Sequence, residues 1–133
     1  MLKYINEEDY INLMDASSIP NDFNQKVIEA SNYINTKTFN RIDENNVSEK
    51  VKYVTCLLIN KIIEKEEKLS EIGNLKSENV EGWQTTYATP EEVKSDYSNQ
   101  MYGILKEYLM FEIGVDGLPL LYIGVIWVNS FIK

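Results

Sequence analysis

Residues 47–69 read VSEKVKYVTCLLINKIIEKEEKL. Val47, Val51, Val54, Leu58 and Ile62 recur at intervals of 4, 3, 4 and 4, the period of one helical face. Leu57 and Ile59 widen that stripe, and the segment is the clearest helix in the sequence. Asn46 and Glu49 stand at capping-box spacing and place its start. Beyond Ile63 the run Glu64-Lys65-Glu66-Glu67-Lys68 predicts a solvated end.

Three more helices are predicted. Residues 7–16 form a short one, with Asn6 as cap and Ile11 and Met14 three apart; Ile19-Pro20 then breaks the pattern. Residues 23–36 form a second, with Phe23, Val27, Ala30 and Ile34 on one face and Asp22 and Gln25 at the spacing of a capping box. The last helix opens at Thr89-Pro90-Glu91-Glu92, with cap, proline at the first helical position and the acid that closes the box. Val93, Tyr97, Met101, Ile104, Leu105, Tyr108 and Leu109 trace its inner face.

Two segments fall outside this pattern. Residues 72–88 contain Glu81-Gly82, a two-residue turn signal. It predicts a polar hairpin at about 74–88, with Val80 opposite Trp83 and Lys76 opposite Tyr87. Residues 117–133 hold 11 apolar side chains among 17 and no acid. Within them, LPLLYIGVIWV at 118–128 is rich in β-branched and aromatic residues, hence strand-like, and apolar on both parities. It is too short and too interrupted for a membrane helix, which needs about 20 apolar residues. The expected fold is therefore mainly α: a small bundle of about four helices, a polar β-hairpin loop between the last two long ones, and an extended apolar C-terminal arm. Residues 1–116 form the helical domain and 117–133 the arm.

Chemistry is hard to place on this chain. It has 133 residues, 21 acids against 13 bases, a net charge of −8 and no histidine. That removes the commonest general base and zinc ligand. The acidic balance disfavours specific binding to duplex DNA, which needs clustered cations to displace counterions. The single cysteine, Cys56, lies in an apolar stretch and has no histidine to activate it, so it reads as a buried, inert thiol. Met1 leads directly into polar residues, so no secretory leader is expected. Phosphate-binding glycine loops are absent. Acid pairs remain, Glu7 with Asp9 and Glu64 with Glu67. Either could hold a divalent cation, but solvated helix faces account for both. No catalytic residue, cofactor or metal is assigned, and an enzyme is not expected.

The aromatics carry more information. Trp83 lies beside the expected hairpin turn and Trp127 in the tail, and tryptophan and tyrosine are favoured at interfaces. An apolar strip exposed on a small helical domain would be an association site. The expected interface is Trp83, Tyr87, Leu118, Leu120, Leu121, Tyr122, Ile123, Val125, Trp127 and Phe131.

The order of these elements resembles the head–tail connector proteins of long-tailed phages, the small adaptor or head-completion proteins. The stretch KSENVEGWQTTY at 76–87 is similar to that family's Lys-Ser-Glu segment, followed by a hydrophobic-Gly turn and a Ser/Thr-rich strand ending in tyrosine. Leu121-Tyr122-Ile123-Gly124-Val125 is similar to a Leu-Tyr-Arg-Gly-Val ending, with Ile123 where that ending has arginine. The resemblance implies a structural virion protein. It would form a ring of about twelve subunits between the portal protein and a tail-side neck or tail-terminator protein. Packaged DNA would pass through without specific binding, since lumenal carboxylates repel phosphates. It further implies that Ser77, Glu78, Asn79, Glu81 and Gln84 form a channel-facing loop. The protein would assemble in the host cytoplasm and reside in the virion neck, away from any membrane. The competing expectation is a cytosolic helical binding module, a regulator or antitoxin-like protein that docks its apolar tail in a partner's groove.

Overall fold

The computed structural model describes residues 2–78 and 89–122. They form four helices: α1, Glu7–Met14; α2, Phe23–Lys37; α3, Glu49–Glu78; and α4, Pro90–Leu109. The mainly helical reading holds. Helix α3, about 45 Å long at 1.5 Å per residue, is the axis, and each of the other three packs against it.

The expected stripes are the core. Val51, Val54, Leu58, Ile59 and Ile62 of α3 are buried, as are Phe23, Val27, Ala30 and Ile34 of α2, and Val93, Met101, Leu105 and Leu109 of α4. In α1 the buried residue is Tyr10, while Ile11 is exposed. Its hydroxyl donates to Asn60 Oδ1 at 2.8 Å, and its ring meets Phe23 edge-on at 5.4 Å. A tyrosine can bury its ring here because α3 supplies an acceptor for its tip.

Two of the four expected caps form as read. Asn6 Oδ1 accepts from the Asp9 N–H and the Asp9 carboxylate accepts from the Asn6 N–H, at 2.8 and 3.1 Å. Thr89 and Glu92 make the same reciprocal pair at 3.1 and 2.8 Å. The other two differ. Asp22 lies in the left-handed region at φ 55° and makes no side-chain cap, so no box closes with Gln25. At α3 the capping hydroxyl belongs to Ser48, whose Oγ accepts from the Val51 N–H at 3.3 Å. Asn46 is held instead in a turn, its N–H donating to the Asp43 carbonyl at 3.0 Å.

The charged run 64–68 is not the end of α3. The helix continues to Glu78. Lys26 pairs with Glu66 at 3.2 Å and Lys65 with Glu29 at 3.5 Å, so the run is a ladder against α2. Glutamate and lysine are also strong helix formers. This corrects the expected hairpin: residues 74–78, including Ser77 and Glu78, form the last turns of α3 rather than a strand. The rest of that hairpin, with Asn79, Glu81, Trp83, Gln84 and Tyr87, lies outside the described residues.

The expected extended arm is corrected in the same way. Residues 117–122 do not project from the bundle. The Gly114 N–H donates to the Leu118 carbonyl and the Leu120 N–H to the Glu112 carbonyl, each at 2.8 Å, around a bridge between Ile113 and Pro119. Gly117, at φ 81°, makes the reversal that a side chain would disfavour. Leu120 is thereby turned into the helical core at 2% exposure. The boundary between domain and arm expected at 116/117 falls inside this folded-back unit. Ile123, Val125, Trp127 and Phe131 lie outside the described residues.

Candidate interaction surface

The turn after α2 builds an anchor. Thr38 ends the helix with its Oγ1 donating to the Ile34 carbonyl at 2.8 Å. Phe39 and Asn40 then both take left-handed conformations, φ 57° and 59°. Such geometry costs about 1–2 kcal/mol at a non-glycine residue, so its surroundings must hold it. The Arg41 guanidinium lies over the Phe39 ring at 5.1 Å, and the Arg41 N–H donates to the Thr38 carbonyl at 3.1 Å.

Arg41, the only arginine in the chain, is buried. Its Nε donates to Asp116 Oδ2 at 2.9 Å. Its Nη1 reaches the carbonyls of Pro119, Leu120 and Tyr122 at 2.9, 3.1 and 2.6 Å. The Arg41 carbonyl accepts from the Val115 N–H at 2.8 Å. The guanidinium holds the Asp116 carboxylate through Nε while Nη1 faces the carbonyls, two positions that a single ammonium cannot occupy at once. The main-chain N–H of Leu118, and next the Arg41 guanidinium, hold the Asp116 carboxyl below its ordinary range. Gly114 lets the two segments meet: a Cβ there would stand 2.5 Å from Arg41 Cβ and 2.9 Å from the Arg41 carbonyl.

Around this anchor lie most of the exposed large apolar side chains among the described residues. Phe111, Ile113 and Val115 are 86%, 62% and 69% exposed, and Met110, Tyr122 and Phe39 are exposed beside them. A cleft of about 240 Å³ is lined by Ile113, Val115 and Leu120 together with Arg41, Ile42 and Asp43 of the loop after α2. Nearby, Lys37 lies 5.6 and 5.7 Å from the Tyr33 and Tyr102 rings, and Lys106 lies 5.3 Å from Tyr102. The exposed strip of phenylalanine, methionine, tyrosine and aliphatic side chains has a composition suited to protein contacts.

Of the expected interface residues, the structure brings four together: Leu118, Leu120, Leu121 and Tyr122. Leu120 is a core side chain and leaves the interface; Leu118 and Leu121 are half-buried, and Tyr122 is exposed. The residues missed are Phe39, Arg41, Met110, Phe111, Ile113 and Val115. The alternation of Phe111, Ile113 and Val115 is a legible period-2 signal. It falls between the end of the α4 stripe and the start of the apolar tail, and so belonged to neither pattern.

The acid pairs have other roles. Asp9 closes the α1 cap and Glu64 pairs with Lys61 at 3.4 Å. Among the described residues no group of three or more His, Cys, Asp or Glu is placed to hold a metal ion. Burial, with the Asp9 carboxylate adding, pushes the Cys56 thiol up to about 12, so it is protonated at neutral pH. Among the described residues no helix is long and apolar enough to cross a membrane.

Comparison with protein-family models, with curated proteins and with solved structures finds no significant match to this chain.

Proposed function

We propose that this chain is a self-associating structural protein of a phage neck, forming a ring between portal and tail through which DNA passes. The reading is supported by the resemblance of residues 76–87 and 121–125 to the connector family, and by one structural observation. The exposed apolar side chains Met110, Phe111, Ile113, Val115 and Tyr122 are concentrated where the chain enters its most apolar stretch. Such a strip on a small protein calls for a protein partner, and a heterologous contact between copies of one chain generates a ring when its rotation closes. The net charge of −8 suits a channel that must not grip phosphates.

Negative-stain imaging and sedimentation of the purified full chain, with mass spectrometry of purified particles from the source phage, test the reading. Rings, and the chain present in tailed particles, are expected. A monomer at every concentration, missing from such particles, overturns it and leaves the cytosolic binding module as the better account.

A further inference from the structure

We propose that Lys37 and Lys106, gathered about the Tyr102 ring of one copy, receive the carboxylates of Glu91 and Glu92 from a second copy. This deepens the self-association reading and rests on it.

The receiving side is a pair of cations without a counter-charge. Lys37 and Lys106 stand in the last turns of α2 and α4, and both are exposed. Their ammoniums lie 5.7 and 5.3 Å from the centre of the Tyr102 ring, and that of Lys37 lies 5.6 Å from the centre of Tyr33. Tyr33 is tied to α4 in turn, its hydroxyl donating to the Ser98 carbonyl at 3.3 Å. A ring face attracts an ammonium without cancelling its charge. Lys26, Lys50, Lys52, Lys61 and Lys65 each pair with a glutamate, whereas among the described residues neither Lys37 nor Lys106 makes an ion pair. Glu107, next to Lys106 in the chain, acts on the Tyr108 hydroxyl instead. Two uncompensated cations about one ring repel each other, and a carboxylate set between them removes that cost.

With 21 acids against 13 bases, a second copy is itself an acidic partner. Glu91 and Glu92 are adjacent, exposed and held in the first turn of α4 by the Thr89 cap and Pro90. Among the described residues neither makes an ion pair. Within one copy they stand about 22 Å from Lys106, at 1.5 Å per residue along a continuous helix. A copy therefore cannot bring these acids to its own lysines. The distance also exceeds the screening length of about 8–10 Å, so the two patches do not neutralise each other within a copy. Because one helix spaces the patch that gives from the patch that receives, every added copy repeats the same step. The contact is heterologous, the kind that generates a ring when its rotation closes. Exposed ion pairs add little affinity. The apolar strip supplies that, and the charges select which face of one copy meets which face of the next.

Two full-length variants test the pairing in trans. Lys37→Glu/Lys106→Glu reverses the receiving patch. Glu91→Lys/Glu92→Gln reverses the incoming one, with glutamine keeping the capping-box bond. Each alone is expected to associate about tenfold or more weakly than the natural chain in sedimentation, while circular dichroism stays helical. Their equimolar mixture is expected to recover association, because every junction then joins opposite charges. If the first variant loses helicity, Lys106→Glu alone replaces it in the same mixture. Two weak variants that do not recover on mixing overturn the pairing, as does undiminished association of either one alone; both outcomes leave the self-association reading standing. Recovery with Glu7→Lys/Glu8→Lys in place of the Glu91 variant also overturns it, in favour of the first turn of α1. A natural chain that never associates overturns both readings.

Discussion

The Arg41 guanidinium and the Asp116 carboxylate meet at 2.9 Å across 75 residues of sequence and tie the end of α2 to the segment that follows α4. The same guanidinium carries three carbonyls of residues 119–122, so one side chain decides where the C-terminal segment turns into the core and where it leaves it.

Arg41→Ala leaves those carbonyls without a donor. The side chain is only 9% exposed, so little water can replace it. A loss of about 3 kcal/mol is expected, and Arg41→Lys should recover only part of it, because one ammonium cannot hold Asp116 and those carbonyls together. Chemical denaturation of the three proteins measures this; equal stability of Lys and wild type would contradict it.

Gly114→Ala places a methyl group against Arg41 Cβ and its carbonyl. The carbonyl belongs to the main chain, so the anchor itself must shift. Destabilisation by about 1–3 kcal/mol is expected, larger than for Gly103→Ala in α4, where a Cβ meets nothing within 4 Å. Paired thermal melts check the difference in sign and size.

Shortening the chain separates core from tail. A chain ending at Tyr122 retains Leu120 and every acceptor of Arg41, and should melt cooperatively close to the full chain. A chain ending at Asp116 loses Leu120, buried to 2% exposure, together with all three carbonyls. A loss of about 4 kcal/mol or more is expected, seen as a melting point lower by roughly 10 °C or more.

Acid should loosen the anchor before it melts the helices. The Asp116 carboxyl is held below its ordinary 3.8, first by the Leu118 N–H and then by Arg41. Its contribution is complete above 3.8 and is lost as pH falls through the lower folded value. Asp116→Asn should flatten stability across that window. Denaturant midpoints taken from neutral pH downward for both proteins measure it; parallel curves would show that Asp116 is not the group responsible.

The four helices were legible because their apolar residues repeat at the helical period; that α3 is the one on which the others pack came from the tertiary structure. Two caps were legible because a capping box is a local pattern. The caps at Asp22 and Asn46 were not, since the backbone of each turn is set by contacts the spacing does not contain. The charged run at 64–68 looked like an end because its partners, Lys26 and Glu29, are remote in sequence. Tertiary structure alone decided the C-terminal half of the site. Periodicity sees neighbours three or four residues apart. The burial of Leu120, the fork of Arg41 and the approach of Gly114 all depend on residues more than seventy positions away. The sequence determined a helical bundle with an apolar exit. The chain-reversing turn at Gly117 and one buried guanidinium decided how much of that exit is core and where the exposed edge lies.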